Sequence, residues 1–264
     1  MNSSFESTDA YWQFAKTVRT ERRFIFDGKA GDFIAAARSG SKSRAYDMKK
    51  GKQLFRAQIG SVWKPDEEGF DLEHPHPESR MIPDPKYIKN GGRANPPGFP
   101  YLYLANSMET ALAEIRPWMG ESVTLAAFEV QRDIKLVMCR TETESSSSSM
   151  FEETLSAEQI DESVWGSISK AFSTPANRED QEGAYLPTQI LAEAFMAEGF
   201  DGVAYRTGLE RGMNVVLFDS HVAKPFSPAA VYTLKKVRYD FESVLPYAFM
   251  RKGVQINEIH TESP

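Results

Sequence analysis

Apolar and polar residues alternate over short stretches in the middle of this chain, and a period of two predicts strands. Tyr101–Ala105 fits that pattern, and short apolar-rich runs make strand candidates of Gln53–Ile59, Val123–Val130, Ile134–Met138, Gly202–Arg206, Asn214–Phe218 and part of 228–241. The polar turn Gln131-Arg132-Asp133 joins the third of these to the fourth. Helical spacing appears elsewhere. Trp12, Ala15 and Val18 form one stripe, and Phe33, Ile34 and Ala37 form another, with Gly28 and Gly31 as breaks between them. Met108, Ala111, Leu112 and Ile115 define a helix that Pro117 ends, with Asn106 and Glu109 spaced as a capping box. An acidic helix follows over about 152–172. A last one runs from Pro187 to Glu198, with proline near its first position and Gly199 past its end, burying Ile190, Leu191, Ala194 and Phe195.

Thr141 to Ser149 is low-complexity and reads as a flexible loop, and 250–264 as a polar tail. No internal repeat is evident. Strands outnumber helices in the middle and connections are short, so the expected class is α+β rather than doubly wound α/β. The expected organisation is a helical N-terminal extension over 1–50, one catalytic domain over 51–240 and a C-terminal tail over 241–264.

Composition narrows the function. With 264 residues, 41% hydrophobic and 26% charged, the chain is an ordinary globular protein with material for a sizeable core. A net charge of −6 and a pI near 5.4 argue against direct nucleic-acid binding. Arg19, Arg22, Arg23, Arg38, Lys42, Arg44, Lys49 and Lys50 make the first 50 residues the basic end, read as a solvated helix face. Cys139 is the sole cysteine, which excludes an internal disulfide and a thiolate zinc site and suits a reducing compartment. The N-terminus lacks the basic and apolar regions of a leader, and no apolar run reaches the roughly 20 residues that cross a bilayer. The expectation is a cytoplasmic protein without a membrane partner. His74 and His76 sit in a Pro-rich stretch with no third ligand, so that stretch reads as an exposed loop and no metal is expected. P-loop, Gly-x-Gly-x-x-Gly, nucleophile-elbow and His-Glu-x-x-His signatures are all missing.

What remains is one dense stretch. Gly91 to Pro100 is a Gly/Pro loop carrying Arg93 and Asn95. It leads into a strand on which Leu102 and Leu104 face the core, leaving Tyr101 and Tyr103 toward a cleft or solvent. The next helix carries Glu114 off its buried stripe, where pattern alone gives a solvated glutamate. A cation, aromatic rings and an acid therefore meet at one strand–helix junction. That set suits an anionic ligand with an aromatic group and a reaction that develops positive charge.

Leu54-Phe55-Arg56-Ala57, Gly92-Arg93-Ala94-Asn95-Pro96-Pro97-Gly98 with Tyr103, and Glu109 to Glu114 resemble the RES family, as do Gln189, Gly202 to Thr207 and Asn214 to Phe218. The family is named for an arginine, a glutamate and a serine. The resemblance covers roughly residues 50–220 in the family's order. It implies a fold similar to ADP-ribosyltransferase toxins, a split β-sheet core around an NAD cleft with flanking helices. It also implies NAD as substrate, cleaved by hydrolysis or phosphorolysis, with no metal. Many members are toxins paired with a helix-turn-helix antitoxin of the Xre type, and a homo-oligomer is compatible with the pattern.

Carried over by position, the resemblance makes Arg56, Glu114 and Thr207 catalytic. It makes Arg56, Arg93, Asn95, Tyr103, Tyr205 and Asn214 the NAD-binding set. Thr207 stands where the family has its serine, keeping the hydroxyl while adding a methyl that stiffens χ1. The chemistry is consistent: cleavage at the ribose passes through an oxocarbenium-like state that a carboxylate stabilises, and arginine forks suit a pyrophosphate. The rival readings are an ADP-ribosyltransferase that modifies a protein and a weakly catalytic NAD-binding module.

Overall fold

The computed structural model describes residues 4–140, 155–174, 181–208 and 212–237. The Ser-rich stretch Thr141–Ser149 and the C-terminal tail lie outside the described residues. Two helices come first, α1 (Ala10–Thr20) and α2 (Gly28–Ser41), then strands β1 (Ala45–Met48), β2 (Gln53–Ile59), β3 (Val62–Pro65) and β4 (Asp71–His74). After the single turn α3 (Glu78–Met81) come β5 (Leu102–Ala105), α4 (Met108–Glu114), β6 (Ser122–Val130) and β7 (Ile134–Cys139). Two long helices, α5 (Ala157–Ser173) and α6 (Gln181–Ala197), precede β8 (Gly202–Arg206), β9 (Met213–Leu217), β10 (Ala223–Pro225) and β11 (Ala230–Thr233).

Nine strands form one sheet in the order β1-β7-β8-β9-β5-β2-β6-β10, with β11 also on β6; β3 and β4 form a separate hairpin. Only β7 and β8 run parallel within the sheet. The expected α+β class holds, and so does the split. Every residue of β2 from Gln53 to Ile59 pairs with β6, and β5 pairs with β9 along its length. Between β2 and β5 there is a single pair, Phe55 with Ala105. The two halves of the sheet meet at that seam.

The turn Gln131–Asp133 joins β6 to β7, but the two strands do not pair with each other. It carries the chain from one half of the sheet to the other, because β6 pairs with β2 while β7 pairs with β1 and β8. Asp133 fixes the crossing by accepting from the Lys49 ammonium at 2.7 Å and the Lys50 amide at 2.9 Å.

Both faces of the central strands are covered. Leu54, Leu102, Leu104, Phe128, Leu136, Val215 and Leu217 pack on one face. On the other, Val137, Val203, Tyr205 and Val216 meet Trp165, Phe172 and Phe195 of the long helices. Tyr101 joins this second core at 5% exposure, so it does not face a cleft or solvent. Alternation gave the face correctly and missed the helices that lie over it.

The N-terminal helices enter the same core. Their stripe is Tyr11, Phe14, Ala15, Val18 and Phe33, while Trp12 stands 49% exposed. Phe14 stacks on Phe33 at 4.5 Å, and Phe5 meets the edge of Trp165. Several basic residues of this end are tethers. Arg38 and Lys42 pair with Glu198, and Arg44 pairs with Glu162. Arg19 donates to the carbonyls of Gly183 at 3.2 Å and Ala184 at 3.0 Å. That contact explains why α6 begins before Pro187 instead of at it. A proline lacks the N–H that the carbonyl four residues earlier requires, and Arg19 supplies the missing donor to Gly183.

His76 also departs from expectation. It is 8% exposed, its Nε2 lies 3.0 Å from the Ile59 carbonyl and its amide donates to Thr124 Oγ1, so it pins the segment across β2 and β6.

If the N-terminal helices are part of one core, Phe33→Ala should destabilise the whole protein by about 3–5 kcal/mol. Urea unfolding followed by tryptophan fluorescence reads this directly, since Trp165 lies in the affected cluster. A loss under about 1 kcal/mol would mean the helices are appended rather than integral.

Candidate active site

The Gly/Pro loop is held from two sides. From α6, Gln189 Nε2 donates to the carbonyls of Gly92 at 2.8 Å and Asn95 at 3.1 Å, and Thr188 Oγ1 donates to Arg93 O at 2.6 Å. From β5, the Tyr103 hydroxyl donates to Asn95 Oδ1 at 2.6 Å and accepts from the Ala94 amide at 3.0 Å. Asn95 spends its amide on the carbonyls of Phe99 and Pro96. Glycine is required at 92 by closeness of approach: a Cβ there would overlap the Tyr103 hydroxyl and lie 2.6 Å from Asn95 Oδ1.

Arg93 points away from the loop to the end of α5. Its Nη1 donates to the Phe172 carbonyl, one of the orphan acceptors of a helix C-terminus. The guanidinium lies 5.9 Å from the ring centroids of both Tyr185 and Tyr205. Burial pushes the Tyr103 and Tyr205 phenols well above the usual tyrosine range.

The helix that carries Glu114 starts one residue later than the capping-box spacing suggested. Ser107 is the cap: its hydroxyl accepts from the Thr110 amide at 3.1 Å. Asn106 is used elsewhere, accepting from the Met213 amide at 2.9 Å and so tying the helix start to β9. Glu109 is exposed and has no capping bond among the described residues. The helix ends through Arg116, a left-handed residue at φ 48° directly before Pro117.

Glu114 is the last residue of this helix and is partly buried, not solvated. Thr207 Oγ1 donates to its Oε1, and Asn214 Nδ2 donates to the same oxygen at 2.7 Å. Asn214 faces Tyr205 across β8 and β9 and Ala105 across β5 and β9. Gly212 lets the β8–β9 connection come this close, since any Cβ there would collide with Thr110 Oγ1. Oε2 of Glu114 accepts no hydrogen bond from the described residues.

Arg56 approaches through the seam. Its Nη1 donates to the Tyr103 carbonyl at 3.1 Å, filling an acceptor that β2 would bond in a continuous sheet. Burial lowers its pKa to about 10, and its Nε is buried without a partner among the described residues. Arg56 also lines a cavity of about 540 Å³ whose walls do not include Glu114.

The structure thus brings Glu114, Thr207 and Asn214 into direct contact. It gathers Arg93, Asn95, Tyr103 and Tyr205 around the loop, and it joins Arg56 to this second group through the Tyr103 backbone. Ser107, Thr110, Thr188 and Gly212, which build the candidate site, were not singled out from sequence; Thr188 and Gly212 meet partners remote in the chain, and the Ser107–Thr110 cap was passed over for the Asn106–Glu109 spacing.

The fold is α+β with a sheet parted at its centre, and the site is a carboxylate held beside that parting. The chain belongs to the RES domain family, whose profile matches residues 70–241. Arg56 falls before the matched range. Among solved structures, the crystal structure of the M. tuberculosis MbcT–MbcA toxin–antitoxin complex is similar at 14% identity and a TM-score of 0.42, covering 75% of this chain and 92% of that one. No curated protein matches the sequence.

Tyr103→Phe would strand Asn95 Oδ1 and the Ala94 amide, at a cost of about 1–3 kcal/mol. The pH dependence has a definite sign. A phenol whose folded pKa exceeds its ordinary value of 10.0 keeps a proton that the unfolded chain releases, so stability falls as pH rises past about 10. The gap between wild type and Tyr103→Phe in urea midpoint should therefore narrow from pH 8 to pH 10.5. A gap that stays constant would contradict the burial of this phenol.

Proposed function

We propose that this protein consumes NAD by breaking the bond between the nicotinamide nitrogen and C1′ of the ribose, by hydrolysis or phosphorolysis. We further propose that it is the toxin of a toxin–antitoxin pair, restrained by a helix-turn-helix antitoxin. Membership of the RES family supports both parts. The observation that carries the chemistry is the Glu114 carboxylate, with one oxygen held by Thr207 and Asn214 and the other without a hydrogen bond from the described residues.

The ring nitrogen of NAD is cationic, so nicotinamide leaves neutral with the bonding pair and positive charge develops on C1′ and the ring oxygen. A fixed carboxylate facing that charge stabilises the transition state more than the ground state. An oxygen of water or phosphate then bonds to C1′ and gives its proton to Glu114 Oε2 or to solvent. Thr207 and Asn214 are positioning groups for the carboxylate. For Asn214 this differs from direct NAD contact, because its amide is engaged by Glu114. Asn95 and the Tyr103 hydroxyl are engaged within the loop, which leaves them the task of shaping it. Arg56 is the cation closest to the seam and serves the phosphates.

The purified protein incubated with NAD, with and without phosphate, tests the reading. Free ADP-ribose, its phosphate ester or a labelled protein would identify hydrolysis, phosphorolysis or ADP-ribosyl transfer, respectively. NAD binding without nicotinamide release would leave only a binding module.

Glu114→Gln should lower nicotinamide release by a factor of about 10² or more with binding close to wild type, whereas Glu109→Gln should change neither. Thr207→Ser should retain turnover and Thr207→Val should lose most of it, at nearly constant volume. In cells, growth arrest should follow turnover across the four variants. Full turnover in Glu114→Gln would remove the catalytic assignment.

A further inference from the structure

The cavity beside Arg56 has a charge balance unlike the rest of this acidic chain. Its wall is the segment after β4, contributing Ser79, Arg80, Asp84, Lys86 and Tyr87, set against β2. Three cations, Arg56, Arg80 and Lys86, face one carboxylate. That carboxylate, Asp84, is already paired with Lys86 at 3.1 Å. The Arg80 amide donates to the Pro77 carbonyl at 2.9 Å, but its guanidinium makes no hydrogen bond or ion pair with any described residue. Among the described residues, the Arg56 guanidinium commits only Nη1, to the Tyr103 carbonyl. Two guanidinium groups, one of them largely withdrawn from water, thus line a space of about 540 Å³ whose one carboxylate, among the described residues, is paired with Lys86. That volume lies within the range of about 300–1,000 Å³ usual for small-molecule clefts.

The chemistry at the rim points to a nucleotide rather than a bare ion. Tyr87 is strongly exposed, and the Lys86 ammonium lies 4.8 Å from its ring centroid, so one face of the ring is taken by a cation and the other is open. Planar guanidinium forks fit paired phosphate oxygens, and an open phenol ring offers a stacking surface for a base.

We propose that this cavity is the seat for the adenosine diphosphate half of the dinucleotide, with Arg80 and Lys86 binding its phosphates alongside Arg56 and Tyr87 stacking on the base. The assignment rests on the NAD reading above, because it places the non-reacting half of that substrate. Contacts remote from the broken bond are made equally in ground and transition states, so they set KM and leave kcat alone.

The test uses ADP, which carries this half and no nicotinamide. Calorimetry should show ADP binding to the wild-type protein in competition with NAD. Arg80→Ala and Lys86→Ala should each weaken ADP binding by roughly tenfold, with Arg80→Glu worse and Arg80→Lys partly restored. KM for NAD should rise in parallel at constant kcat. Both positions are exposed on the rim of the fold, and circular dichroism would confirm that the variants are folded. ADP affinity unchanged in Arg80→Glu and Lys86→Ala, or no ADP binding by the wild type, would overturn the seat while leaving the NAD reading intact. Loss of ADP binding in the variants of a protein that releases no nicotinamide would do the reverse, upholding the seat and removing the proposed reaction.

Discussion

The single pair between Phe55 and Ala105 is the constraint on which the rest of this architecture depends. Backbone groups in a sheet interior must find partners, and a sheet parted at its centre leaves carbonyls facing a gap. Arg56 answers that need by donating to the Tyr103 carbonyl across the parting. The small apolar cluster of Ala57, Ala105, Ala111, Val123 and Leu125 seats α4 over the same seam. The helix is only seven residues long, Met108 to Glu114, so its last residue lies close to the opening its first residues help to cover. Parting the sheet thus creates the gap, places a cation in it and brings a carboxylate to its edge.

The carboxylate itself is fixed by elements that have no local reason to meet. Glu114 ends a helix, Thr207 follows β8 and Asn214 lies in β9. Fixing a glutamate side chain costs rotamer entropy, and two donors on one oxygen repay that while directing the other oxygen outward. A threonine suits this task because branching at Cβ limits χ1, so its hydroxyl stays aimed at Oε1. The departure from a serine at this position keeps the hydrogen bond that geometry requires. On the other side, the loop from Gly91 to Pro97 is clamped between α6 and Tyr103, so the walls of the site are rigid before any ligand arrives.

Much of this was legible in the sequence, and the failures share a cause. Short apolar-rich runs located β2, β6, β7, β8 and β9, because such runs are local properties. Alternation put Tyr101 on the correct face yet left it toward cleft or solvent, since nothing in five residues says that α5 and α6 lie above. Pro187 read as a helix start because propensity is local, whereas the donor that tolerates it comes from Arg19, 164 positions before the Gly183 carbonyl it serves. His76 read as a loop residue because the bonds that bury it come from Ile59 and Thr124. The capping box failed by one residue, because Asn106, an equally good cap by type, had a competing partner in Met213. Arg56, Glu114 and Thr207 were reached by resemblance, while pattern alone made Glu114 a surface residue.

Arg56 gives the energetic link between fold and ligand. Burial disfavours its charged form enough to bring its pKa to about 10, so the folded state carries an unrelieved desolvation cost at this residue. One backbone carbonyl offsets that cost only in part, and Nε is left without any partner among the described residues. An anion brought beside the guanidinium would restore the favourable environment of the charge, so part of the affinity would be relief of strain already present in the fold. A neutral residue of the same shape at 56 that still donates to the Tyr103 carbonyl would remove both the cost and the relief, leaving stability little changed or improved while anion binding falls. Stability and affinity would then move in opposite directions, as expected where a site stores energy that the fold alone does not need.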